Sequence, residues 1–306
     1  MSPPARSSIL VAGSANLDFV VRAPHVPAPG ETVLGGEFRT FPGGKGANQA
    51  VACARAGDAS TRMLLALGAD AFAAPIEQSL RDAGVALHVQ RSQTQPTGTA
   101  FICVSDRGEN AITVAPGANS ALRPQDLPPL DGVGHLLLQL ETPLDSVAAY
   151  ARAARAAGVG VVLNAAPAQA LAKELLADVD VLIVNEGELA VLAGAGDSIE
   201  ANLARIDVPC VIVTLGERGC IARVGGQTLR QPAFAVEVVD TTGAGDTFCG
   251  ALVAALARGG AMADALREAC AASALACTRM GAQSSIPTRA EVEAFLRQAD
   301  KAGTGR

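Results

Sequence analysis

The sequence predicts an α/β protein, a three-layer α/β/α sandwich with a mainly parallel central sheet and a small β-sheet lid. Three observations predict it. Short apolar runs rich in β-branched residues alternate with longer amphipathic ones, the pattern of a parallel sheet covered by helices on both faces. Two glycine-rich turns each open a helix. Two other stretches break the alternation with strand-like pieces that have no helix between them, and these supply the second sheet.

Taken in order, strand-like runs fall at 9–12, 63–67, 135–140, 159–163, 181–184 and 211–215, with helix-like segments between them. Segment 144–157 is alanine-rich and stops at Gly158, and 264–280 stops at Gly281, each the residue that best accepts the backbone at a helix end. Segments 49–56 and 247–258 read as the helices that follow the glycine-rich turns. The stretch 20–41 carries prolines between short β-like pieces, while 97–104 and 111–115 form a hairpin-like pair around Asp106, Arg107 and Gly108. Long excursions from an α/β body are often functional, and a lid is the reading preferred here to ordinary surface hairpins.

Composition narrows the function. Of 306 residues 49% are hydrophobic but only 3% aromatic, so the core is built from Ala, Val, Leu and Ile, with 32 glycines allowing close packing. Few aromatic platforms for stacked bases and a net charge of -6 argue against nucleic acid or an anionic membrane as partner. The longest uncharged stretch, 156–172, contains Asn164, Pro167 and Gln169 and falls short of the roughly 20 apolar residues that span a bilayer. Behind residues 1–8 the apolar run 9–12 is too brief for a signal-peptide core, so a cytoplasmic location is expected. The seven cysteines include no Cys-x-x-Cys pair, and Cys270 and Cys277 stand on one helix about 10 Å apart by helical rise. They read as reduced, buried thiols. The three histidines have no spacing that suggests a metal site.

The run Asp240-Thr241-Thr242-Gly243-Ala244-Gly245-Asp246 leads straight into a helix, where free backbone N–H groups point at an anion and the dipole favours an ionised carboxylate. Asp246 beside such a site suits a general base for an attacking hydroxyl; taken alone, the motif is better explained by a helix cap after a turn. The second turn, Pro42-Gly43-Gly44-Lys45-Gly46-Ala47-Asn48, combines backbone donors, a cation and an amide suited to a polyhydroxylated ligand. Neither a P-loop nor a dinucleotide fingerprint is present. Polar groups also follow successive strands: Asn16 and Asp18, then Glu141, then Asn185 and Glu188, then Thr214 and Gly216. In an open parallel sheet that edge is where ligands bind.

Together, Gly43-Gly44-Lys45-Gly46-Ala47-Asn48-Gln49-Ala50 and the 240–246 run resemble the two signatures of the PfkB carbohydrate kinase family. The likeness extends from Gly13-Ser14-Ala15-Asn16-Leu17-Asp18, through Gln139-Leu140-Glu141-Thr142-Pro143, to Thr278-Arg279-Met280-Gly281-Ala282-Gln283. It implies one domain over 1–306 with lid insertions at about 19–42 and 97–117, and phosphorylation of D-ribose at its 5-hydroxyl by ATP, or of a related sugar or nucleoside. It assigns Asp246 as base and the backbone of Gly243, Ala244 and Gly245 as the anion hole. Asn16, Asp18, Gly44, Lys45, Asn48 and Glu141 match sugar-binding positions. Asn185 and Glu188 match the element that places Mg2+ and phosphates, and Thr214, Gly216, Gly219 and Gly245 match nucleotide contacts. A monovalent cation, usually K+, is implied at Asp240, Thr242, Ala276, Arg279, Gly281 and Ser285. Cys270 departs from the His or Asn usual near the adenine, and the lid implies a homodimer.

Overall fold

A computed structural model describes residues 8–194, 196 and 198–303; residues 1–7, on which the leader reading partly rests, lie outside them. The main sheet has nine strands in the order β13-β12-β11-β10-β9-β8-β1-β4-β5. These are β1 (Ser8–Ala12), β4 (Thr61–Gly68), β5 (Ala86–Ser92), β8 (Val133–Leu138), β9 (Gly160–Asn164), β10 (Val181–Asn185), β11 (Cys210–Thr214), β12 (Cys220–Val224) and β13 (Gln227–Gln231). From β5 to β11 every pairing is parallel; β12 and β13 turn back antiparallel at one edge. The lid is a separate four-stranded sheet, β3-β2-β6-β7, made of β2 (Asn16–Ala23), β3 (Phe38–Gly43), β6 (Gly98–Ser105) and β7 (Asn110–Ala115).

Period-two side-chain alternation in the strands explains the layers. Ile9, Val11, Met63, Leu65 and Leu67 point into one core, while Leu10, Ala12, Leu64 and Ala66 point into the other. The first core is covered by α1 (Lys45–Arg55), α2 (Ala73–Asp82), α7 (Ala244–Ala257), α8 (Met262–Ala276) and α10 (Arg289–Gly303). The second is covered by α3 (Leu144–Ala156), α4 (Lys173–Leu176), α5 (Glu186–Ala193) and α6 (Ile199–Arg205), and the four-residue α9 (Ala282–Ser285) lies near α1. Among the described residues no helix is long and apolar enough to cross a membrane.

Two expectations need correction. The helix expected to run to Gly281 stops at Ala276. Tertiary bonds compete there: the N–H groups of Val239 and Asp240 both donate to the Cys277 carbonyl, at 2.8 and 3.2 Å, and the Gly281 N–H donates to Asp240 Oδ2 at 2.8 Å. Asn16 and Asp18, read as residues after the first strand, do follow β1, but as part of the strand β2 of the lid sheet and not of a loop.

Helices α1 and α7 approach so closely that a Cβ on Gly250 would lie 2.5 Å from Ala52 Cβ and 2.7 Å from the Gln49 carbonyl. This contact sets the distance between the two glycine-rich turns, because α1 and α7 carry them. Gly250→Val is expected to force the helices apart and to cost about 1–3 kcal/mol by overpacking. Urea denaturation measures the loss. Unchanged stability would mean that the two helices have room to separate freely.

Candidate active site

At the start of α1, Gly44 adopts φ 88°, where its Cβ would lie 2.8 Å from Ala15 Cα; only glycine lets the turn lie flat against the segment after β1. This places Lys45, Asn48 and Gln49 of α1 against the start of α7. Asp246 occupies the first turn of α7, half-buried, and its carboxylate is gripped by two amides: Asn48 Nδ2 donates to Oδ2 and Gln49 Nε2 to Oδ1, each at 2.9 Å. Gln49 is fully buried; its Nε2 also reaches Asn164 Oδ1 at 3.0 Å, and its Oε1 accepts from Gln139 Nε2 at 2.7 Å. A network of carboxamides from three elements thus aims one carboxylate at the crevice.

Electrostatics in the crevice are those of a charged cluster. Burial pushes the Asp246 carboxyl above its ordinary range and Glu141 adds to this, while Lys45 and the two amides oppose it. Lys45 would be lowered by burial, but the negative charges of Asp246, Glu141 and Glu188 outweigh that and hold it protonated. Glu188 is raised by burial despite the Asn185 N–H and Lys45. Asp18 is raised to about 7, first by burial and then by Glu141 and Asp246, and its buried Oδ1 has no hydrogen-bond partner. A buried carboxylate oxygen without a donor is suited to accept one from a ligand hydroxyl.

The structure brings together Lys45, Asn185, Glu188, Thr214, Gly243, Gly245 and Asp246 around a crevice of about 160 Å³. Lys45, matched to the sugar turn, therefore shares the crevice with Asn185 and Glu188. Asn185 and Glu188 cap α5 reciprocally, each backbone N–H donating to the other's side chain at 2.8 Å. Glu141 Oε2 accepts from Ser14 Oγ and from the Lys45 N–H, the latter at 3.1 Å. Asn16 Oδ1 accepts from Asn119 Nδ2 at 2.8 Å, and Asn119 Oδ1 accepts from the Ala15 N–H at 2.9 Å. Of the three amides assigned to the anion hole, that of Ala244 is committed within the turn, donating to the Thr241 carbonyl at 3.2 Å. Gly245 has open space where a side chain would stand.

Other predicted positions are not among the residues lining this crevice. Gly216 and Gly219 form the tight turn after β11, Gly219 closing against the end of β13. Cys270 is only 6% exposed, and its Sγ lies 3.7 Å from Cys220 Sγ in the core, so it presents no open polar group to a nucleotide. The segments holding Asp240 and Thr242 and those holding Ala276, Arg279, Gly281 and Ser285 do meet. Burial would raise Asp240, but bonds from the Gly281 N–H and from the Thr242 hydroxyl and N–H outweigh it and lower its pKa. Arg279 instead pairs with Glu291, and Ser285 Oγ donates to the Ala282 carbonyl at 3.0 Å. Sequence reasoning had no role for Ser14, Asn119, Gln139 or Asn164; only their tertiary partners reveal one.

A carboxylate at a glycine-rich helix start, sharing a crevice with Lys45, Asn185 and Glu188, suits a phosphotransferase with an alcohol group as acceptor. Comparison with known proteins makes the class specific. Residues 6–289 match the pfkB family carbohydrate kinase profile. The chain is similar to a ribokinase of Haemophilus influenzae, 39% identical over 96% of this chain and 100% of that protein. It is also similar to the solved ribokinase of Thermotoga maritima, with TM-score 0.89 and 37% identity over 95% of this chain and 99% of the other. The Arabidopsis thaliana ribokinase complexed with ribose and ATP matches with TM-score 0.87 and 34% identity over 95% and 99%. The chain belongs to the pfkB family of carbohydrate kinases, and it is an ATP-dependent sugar kinase.

Proposed function

We propose that this kinase transfers the γ-phosphoryl group of ATP to the 5-hydroxyl of D-ribose, with Asp246 as the base. The observation that carries the reading is the carboxylate of Asp246, held by Asn48 and Gln49 beside the start of α7 and lining the same crevice as Lys45, Asn185 and Glu188. Asp18, Asn16 and Asn48 supply acceptors and donors for sugar hydroxyls, and Glu141 orients the turn that carries Lys45. As the hydroxyl attacks, Asp246 Oδ takes its proton while Lys45 and the N–H groups at the start of α7 stabilise the charge on the transferred group. In this reading the small sheet closes over the sugar and excludes water.

Asn185 and Glu188 fit a hydrated Mg2+, one buried carboxylate and one amide being donors a hard cation takes largely through water. That ion would neutralise phosphate charge. The meeting of the 240–242 and 276–285 segments fits a monovalent cation, K+ by resemblance, held mainly by backbone carbonyls. Dimerisation through the lid is supported by its exposed apolar residues, Phe38 at 60%, Phe101 and Ile112 at 54% and Val114 at 45%. A cytoplasmic location suits the substrates.

ADP release with MgATP should be rapid when D-ribose is present and near background without sugar. A panel containing deoxyribose and a nucleoside fixes the acceptor. Faster turnover with either than with ribose would replace the assignment, and equal release with and without sugar would remove it.

A further inference from the structure

The base is oriented by two carboxamides, and the orientation of one of them is not self-evident. An amide presents a donor and an acceptor of nearly equal size, so Asn48 can offer Asp246 its NH2 or its oxygen. Only the NH2 binds a carboxylate. What selects it lies behind Asn48: Gln283 Nε2 donates to Asn48 Oδ1 at 3.2 Å, and Ser79 Oγ donates to Gln283 Oε1 at 2.7 Å. With Asn48 Oδ1 already occupied by a donor, its NH2 is directed at Asp246 Oδ2.

Gln283 is 6% exposed in α9, between α1 and α2, and Asn48 stands between it and the base. The outer end of this chain opens on a cavity of about 330 Å³ at the root of the lid, lined by Pro42, Arg55, Ser79 and Gln283. We infer that Gln283 is a positioning residue for phosphoryl transfer, fixing the Asn48 amide so that it donates to Asp246, with Ser79 completing a relay from the α2 surface to the base. The inference rests on the reading of Asp246 as the base.

A wrongly turned Asn48 sets an amide oxygen against the carboxylate. That raises the proton affinity of Asp246 and lets its carboxylate rotate away from the hydroxyl. The charged and titratable groups that already face Asp246 are Lys45 of α1, Glu141 after β8, Glu188 of α5, Asp18 of β2 and Cys249 of α7. None of these touches Gln283 by hydrogen bond or ion pair among the described residues, so a change at 283 reads the relay and leaves their charges in place.

The test compares Gln283→Met, which keeps length and burial but has no donor, with Gln283→Glu, which is isosteric but accepts only when ionised and so draws the Asn48 NH2 away. With D-ribose and MgATP over a pH series, the Met variant should lose roughly tenfold in kcat, with the KM for ribose within about twofold and the acid limb of kcat moved to higher pH. The Glu variant should lose roughly a hundredfold. A lowered melting temperature with kcat and its acid limb unchanged would show a merely structural role and overturn the inference, as would a change confined to KM. If neither variant folds, Ser79→Ala decides: about a threefold loss with the same direction of the acid limb supports the relay, and wild-type kinetics overturn it. Asp246→Asn is measured in parallel. Near-normal turnover there removes the base reading itself, whereas an inactive Asp246→Asn beside a wild-type-like Gln283→Met removes only the relay.

Discussion

Asp246→Asn is expected to lower kcat by roughly 10³-fold while leaving ribose affinity within a few-fold of wild type. The substitution keeps the shape of the side chain and removes the carboxylate proposed to carry the hydroxyl's proton away. The carboxylate now accepts from both Asn48 Nδ2 and Gln49 Nε2. An amide has a single oxygen for those two donors, so one buried N–H loses its acceptor and the protein loses about 1 kcal/mol of stability. Lys45 loses the negative charge of Asp246 but keeps Glu141 and Glu188. The crevice therefore stays charged and the sugar still binds. ADP release and calorimetric titration with ribose separate the two quantities; turnover within fivefold of wild type would end the base assignment. Because burial and Glu141 raise Asp246 while Lys45 and the amides hold it down, the acid limb of wild-type kcat belongs to this cluster as a whole.

What could be read from the chain, and what could not, follows from the range of the forces involved. The main strands, the two glycine-rich turns and the helix at Asp246 were legible because each depends on local periodicity and backbone freedom. Of the unread strands, β5 and β13 are the sheet's two edges and β12 stands between β13 and β11; Ala86–Ser92 and Gln227–Gln231 carry exposed polar residues that blur any apolar run. The end of α8 was misplaced because the stop is made by Asp240, 41 positions from Gly281, and not by a local signal. Asp246 and Lys45, singled out by their motifs, do line one crevice. Gln139, Asn164 and Gln283 are ordinary amides in sequence, and their meaning comes only from the partners that the fold brings to them across 90 or more positions. Cys270, matched by resemblance to a position near the adenine, shows the same limit: the approach of its thiol to Cys220 carried no signal in the sequence.

Asp18→Asn is expected to weaken ribose binding and to stabilise the empty enzyme at alkaline pH. The two effects have one cause. Burial, Glu141 and Asp246 raise Asp18 from 3.8 to about 7, and its Oδ1 is buried without a donor. A folded-state value above the unfolded one favours folding fully at pH values below 3.8, and that advantage disappears as the pH climbs through about 7. At pH 8 the empty wild type therefore holds an ionised, unpaired carboxylate near two others, and the neutral variant relieves it. Its melting temperature should exceed that of wild type at pH 8, with the difference shrinking toward pH 5. Ribose reverses the comparison. A hydroxyl donating to the ionised carboxylate makes a charge-assisted bond worth about 1.5–3 kcal/mol, so the variant's KM for ribose should rise about 10- to 100-fold. For the same reason wild-type affinity should improve as the pH rises through about 7, and the variant should lack that dependence. If the variant binds ribose as tightly as wild type at pH 8, Asp18 does not touch the sugar. If its stability difference is the same at pH 5 and pH 8, the carboxylate is not held neutral by its surroundings, and the strain attributed to the empty crevice is absent.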